Sequence, residues 1–233
     1  MKTVYFALIS IFFAMNLFAK EVIIVNDSFP PYVELDSSKR EVNGIDMEMA
    51  KKILKKNGIT YKIIIVPWSR ALRMLEDGEA DMTTTISPTD DRSEFLNFSQ
   101  PYRTSEEMSF FVLNDSDIEI NSLYDLRRST LGLTRGFVYP KIIVENNNIQ
   151  KKYLGGVEEG FKLLKEKRIR IFLVNTVVGE KMIAKFKLGK FIKKLNYKIN
   201  LEGEASNAMF GFSKKSAHKE LIDLFNAEIR SRD

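Results

Sequence analysis

An α/β protein of two lobes, each a sheet flanked by helices, is the fold this sequence predicts, on three observations. From residue 22 to residue 84, short β-branched runs alternate with amphipathic helical patterns in the order strand, helix, strand, helix, strand, which implies a parallel sheet flanked by helices. The alternation restarts near residue 108. No low-complexity or flexible spacer divides the two halves, so they are expected to pack face to face.

Residues 1–19 read as a secretory signal peptide. Lys2 supplies the positive start, residues 4–15 form an apolar run that Asn16 interrupts, and Leu17 and Ala19 suit cleavage before Lys20. The run is shorter than the roughly 20 apolar residues of a membrane span, and an uncleaved anchor is the alternative. A strand follows at residues 22–25 and breaks at a loop stiffened by Pro30 and Pro31. Gly44 opens a helix with Ile45, Met49, Ile53 and Leu54 on one face, and Asn57-Gly58 ends it. Residues 61–66 are the second strand. Pro67-Trp68 begins a helix with Ala71, Leu72 and Leu75 inward, closed by Gly78. Residues 82–84 are the third strand.

In the second half, strands are expected at 108–113, 131–134, 169–174, 195–199 and 209–212. Helices are expected from about Pro140, at 157–167, at 177–186 and at 217–229, and residues 115–129 read as a polar connection.

Composition excludes several classes. The chain has no cysteine, so a lipid anchor on that residue is ruled out and the core must hold without disulfides, which 44% hydrophobic residues can supply. The net charge of +5 becomes +4 once Lys2 leaves, and the lysines are scattered among glutamates, so no nucleic-acid partner is expected. A Cys/His pair is impossible, and a serine triad would need the lone His218, in the last helix. No cluster has zinc-ligand spacing, and no Gly-rich phosphate loop is present. No catalytic residue, metal or cofactor is therefore expected, and the protein reads as a non-enzyme and a monomer.

In open α/β sheets, ligands sit beyond the carboxyl ends of the strands. The first strand is followed by Asp27, Phe29 and Tyr32, the second by Trp68 and Arg70, and the third by Thr85, Ser87 and Arg92. In the second half, Arg135 and Phe137 follow one strand, and Asn175 and Thr176 another. The candidate binding residues are Arg92, Thr85, Ser87, Trp68, Tyr32, Phe29, Arg70, Arg135 and Asn175. A guanidinium beside hydroxyls suits a carboxylate, because arginine offers a rigid two-pronged donor.

The Pro-Pro-Tyr after the first strand, Gly44-Ile45-Asp46, Ala80-Asp81, the turn from Thr85 to Arg92, and Phe98-Ser99 with Pro101-Tyr102 together resemble the bacterial extracellular solute-binding proteins of family 3. These serve as periplasmic receptors of ABC transporters. Pro67-Trp68-Ser69-Arg70-Ala71 resembles one branch of that family. The resemblance implies a periplasmic protein of two lobes joined by two hinge strands, near 103–108 and 198–202, with lobe 1 formed by 20–105 plus 200–233 and lobe 2 by 106–199. It also implies a permease partner, and a carboxylate-bearing solute gripped by Arg92, Thr85 and Ser87.

The chain departs from the family pattern at several points. Asn175 stands where the amino-acid receptors place the aspartate that meets an α-amino group, Gly136-Phe137-Val138 preceded by Arg135 replaces a Gly-Thr-Thr type of turn, and Arg170 replaces an acid. The chain also stops at Asp233, soon after one terminal helix, where the family commonly continues. With Arg135 facing the cleft and no acid opposite, the expected ligand is a small anionic or polar organic solute rather than a standard α-amino acid. Two rivals remain: a dehydratase-like enzyme on the same scaffold, with Asp27 as its proton donor, and a ligand sensor for a membrane receptor.

Overall fold

The computed structural model describes residues 21–36, 41–104 and 107–231. The signal peptide expected at 1–19 lies outside the described residues. The chain begins with β1 (Val22–Asn26), a short hairpin of β2 (Glu34–Leu35) and β3 (Val42–Asn43), and α1 (Ile45–Lys56). β4 (Tyr61–Ile65), α2 (Trp68–Asp77) and β5 (Met82–Ile86) complete the expected alternation. β1 runs parallel to β4 in register from Val22↔Tyr61 to Asn26↔Ile65, and parallel to β5 at Ile24↔Met82. A short α3 (Asp90–Ser93), β6 (Leu96–Phe98) and β7 (Arg103–Thr104) follow.

The second sheet starts with β8 (Glu107–Leu113). A 3-10 turn at Leu123–Arg128 leads to β9 (Leu131–Thr134), α4 (Lys141–Val144), β10 (Lys151–Leu154) and α5 (Val157–Lys165). β11 (Ile171–Asn175), α6 (Thr176–Lys185) and β12 (Ile192–Asn200) end that half. β13 (Asn207–Ser213) and α7 (Leu221–Arg230) return to the first.

The strand order is β4-β1-β5-β13-β6 in the first sheet, where β13 also pairs with β7, and β10-β9-β11-β8-β12 in the second. Each sheet is covered on both faces. Met47, Ile53 and Leu54 of α1 join Phe225 and Ile229 of α7 on one face of the first sheet, and Trp68, Ala71 and Leu75 of α2 lie on the other. In the second sheet, Phe161, Val178 and Met182 pack on one side, and Tyr139, Ile143 and Leu126 on the other. This is the two-lobed α/β fold that the alternation predicts.

Some elements differ from the reading of the sequence. β6, β10 and the β2–β3 hairpin were not expected. The helix from Pro140 is a single turn, Lys141–Val144. The last helix starts at Leu221 rather than 217, because the Ser216 hydroxyl accepts from the His218 N–H at 3.0 Å and donates to Asp81 Oδ1 at 2.6 Å, holding residues 217–220 in a turn.

Candidate functional site

The carboxyl ends of β1, β5, β9 and β11 converge on one cleft between the sheets, about 660 Å³ in volume including its open mouth. Asn26 of β1 lines it with Asp27 and Phe29 from the loop that follows, Trp68 from α2, Thr85 from β5, and Ser87 and Arg92 from the segment after it. Phe137, Val138 and Asn175 face them from the second lobe, and Arg103, Met108, Leu201 and Ala208 come from the crossings between lobes.

Arg92 is fixed by its turn. The Thr89 hydroxyl caps α3 by accepting the Arg92 N–H at 3.3 Å, which turns the buried guanidinium back into the cleft. There Nη1 donates to the Ser87 carbonyl at 2.6 Å and Nη2 to the Gly136 carbonyl at 2.7 Å. The guanidinium carbon stands 5.7 Å from the centre of the Trp68 ring. Burial lowers its pKa to about 10, so it stays cationic at neutral pH.

Trp68 Nε1 donates to the same Gly136 carbonyl at 2.9 Å. One carbonyl of the second lobe thus takes two donors from the first. Gly136 has φ +80, and a Cβ there would stand 3.2 Å from Trp68 Cδ1, so conformation and contact both favour glycine. The next residue, Phe137, meets the rings of Phe29 (5.4 Å) and Trp68 (6.4 Å) edge-on and closes the apolar wall.

Behind the cleft, Asp46 gathers a network at the amino end of α1. Gly44, at φ +110, lets the chain pass so close to Tyr32 that a Cβ would lie 2.5 Å from its carbonyl oxygen. That approach lets the Tyr32 carbonyl accept the Asp46 and Met47 N–H groups. The Asp46 carboxylate then accepts from the Thr85 hydroxyl at 2.7 Å, the Tyr102 hydroxyl at 2.9 Å and Arg103 Nη2 at 2.7 Å. Thr85 sits at φ 59, a costly conformation for a β-branched residue, held by its N–H bond to the Tyr102 oxygen at 2.9 Å. The Arg103 guanidinium carbon lies over the Tyr32 ring, 3.5 Å from its centre, and Nη1 is buried with no hydrogen-bond partner among the described residues.

Asp27 is the acid that lines the cleft among the described residues. It is buried, its Oδ2 has no partner among the described residues, and burial raises its pKa to about 7. Asn175 also lines the cleft, with its amide engaged in structure: Oδ1 caps α6 by accepting the Val178 N–H at 3.2 Å, and Nδ2 donates to the Glu107 carbonyl at 3.3 Å.

Of the residues singled out in the sequence, Arg92, Thr85, Ser87, Trp68, Phe29 and Asn175 line the cleft. Tyr32 is buried behind it against Arg103. Arg70 is exposed on the outer face of α2, beside Arg73, Asp77 and Glu79. Arg135 is exposed, 5.8 Å from the Tyr153 ring centre. In the sequence, Asp27 stands at a strand end and is a candidate proton donor, though not among the candidate binding residues. Arg103 falls in an expected hinge strand, which carries no signal of a ligand contact. No group of three or more His, Cys, Asp or Glu residues that could hold a metal ion occurs among the described residues.

The model of the bacterial extracellular solute-binding proteins, family 3, matches residues 22–232. A probable histidine-binding protein of Campylobacter jejuni is 23% identical over 203 residues, 87% of this chain and 75% of its own length. An amino-acid ABC transporter substrate-binding protein from Streptococcus pneumoniae, solved bound to L-arginine, superposes with a TM-score of 0.76 at 20% identity, covering 91% of this chain and 87% of its own. A histidine kinase sensor domain with similarity to periplasmic binding proteins gives the same TM-score, 0.76, at 19% identity, covering 91% of this chain and 90% of its own.

Proposed function

Since this chain belongs to the bacterial extracellular solute-binding proteins of family 3, we propose that it captures an amino acid in the interlobe cleft, in the periplasm, and presents it to an ABC-type permease. The observation that carries the ligand class is a pair of buried, oppositely charged side chains, Arg92 and Asp27, lining one cleft. A zwitterion satisfies both. Of the five N–H groups of Arg92, the carbonyls of Ser87 and Gly136 take two, so others are left for a ligand carboxylate. The Ser87 hydroxyl lines the same end. Asp27 Oδ2 receives the α-ammonium, and Trp68, Phe29 and Phe137 enclose the side chain. The histidine- and arginine-binding names of the relatives point to the same class.

This reading replaces the expected preference for anionic solutes. That preference rested on Arg135 facing the cleft and on the lack of an acid. Arg135 is exposed, and Asp27 supplies the acid. Titration calorimetry of the purified protein with the standard amino acids and their deaminated carboxylates tests it. We expect at least one amino acid to bind, and its deaminated counterpart to bind at least tenfold more weakly, through loss of a buried charge partner. Equal binding of the two, or binding of the carboxylate alone, would overturn the assignment of Asp27.

A further inference from the structure

A second arginine stands in the cleft beyond the pair that defines an amino acid. We propose that Arg103 reads the ligand's side chain, so that the cleft selects amino acids bearing a side-chain oxygen acceptor, an amide or a carboxylate, over basic and apolar ones; the inference rests on the amino-acid reading above. Arg103 lies where the chain leaves the first sheet, and its backbone is paired with Ala208 of β13. Both residues line the cleft, so the guanidinium is anchored on a strand rather than carried by a loop.

One edge of that guanidinium is committed. Nε and Nη2 donate to Asp46 at 3.2 and 2.7 Å, and the guanidinium carbon lies over the Tyr32 ring, 3.5 Å from its centre. Asp46 cannot take the remaining donors, because its oxygens also serve Thr85 and Tyr102. Nη1 is left buried with no acceptor among the described residues. A buried donor on a charged group that lacks a partner is costly, so an arriving acceptor gains more there than at a solvated arginine. Held on two sides, the guanidinium loses little further freedom on binding.

The assignment also follows from the other polar groups of the cleft. Arg92 and Asp27 take the two charged groups that every amino acid has, and Asn175 is spent on its helix cap. Arg103 is the remaining charged side chain of the lining among the described residues. It is a cation, so it favours an oxygen acceptor and disfavours a second ammonium or guanidinium.

Calorimetry on the intact purified protein tests this with L-glutamine and L-glutamate against L-norleucine, which matches the chain length of glutamine without its oxygen, and against L-arginine and L-lysine. We expect glutamine or glutamate to bind about tenfold or more tighter than norleucine and than either basic amino acid. In Arg103→Met the ratio between the acceptor-bearing ligand and norleucine should fall to about one. If that variant does not fold, because Asp46 loses its partner, Arg103→Lys keeps a charge beside Asp46 without the second prong, and the ratio should still narrow. A tightest ligand that is arginine or lysine overturns the selectivity and leaves the amino-acid reading standing. An unchanged ratio in the variants overturns the role of Arg103. Binding of no amino acid overturns both readings.

Discussion

Burial holds the Asp27 carboxyl near pKa 7, against 3.8 for the unperturbed group, so between these values the folded protein keeps a proton that the unfolded chain releases. A group with its pKa raised by folding contributes stability that is complete below about pH 4 and is lost as pH rises through about 7. Chemical denaturation from pH 4 to 8 should therefore show a decline that Asp27→Asn flattens. Ligand binding runs the other way. An α-ammonium needs the ionised carboxylate, so affinity should climb by up to about tenfold per pH unit up to pH 7 and level off above it, and Asp27→Asn should abolish the climb. Arg92→Ala should weaken carboxylate binding by about 2–5 kcal/mol in calorimetry, because a buried charge loses its partner.

The elements decide which residues meet. α2 begins at Trp68 in the cleft wall, and Arg70, two residues on, is carried about 200° round the helix and out to solvent. β9 ends on the buried Thr134, so Arg135 turns away from it. Proximity to a strand end was legible in the sequence, whereas the face a side chain takes was not. The helices α1, α2, α5 and α6 were readable because their apolar period is local. β6 was not: its three residues form a strand only by pairing with Gly211, Phe212 and Ser213, over a hundred positions away. Arg103 escaped for a similar reason, since its place in the cleft depends on β13 arriving beside it. One contact between elements can be tested directly. Gly136→Ala would set a methyl 3.2 Å from Trp68 and 3.3 Å from Leu72 at a positive φ, so ligand affinity should drop about tenfold or more through impaired lobe approach, with a small change in thermal stability.

For the whole molecule, two sheets share one cleft, so a ligand that touches both lobes is expected to favour their approach. A ligand at a hundred times its dissociation constant stabilises the bound form by about 2.7 kcal/mol, which for a chain of this size is roughly 5–10 °C in scanning calorimetry. A true ligand that left the melting temperature unmoved would contradict a site formed by folding. The two-lobed plan was legible from the alternation of strands and helices. The meeting of Arg92 with Gly136 was not, because it joins residues of different lobes.

The chain has one tryptophan, Trp68, and it stands in the cleft wall with its indole N–H bound to the opposite lobe and a guanidinium near its ring. The molecule therefore carries its own fluorophore at the seam where the lobes meet. Excited at 295 nm, its emission should shift to longer wavelength whenever the lobes part and water reaches the indole. Opening rates and ligand affinities should then be readable in stopped flow without any attached label.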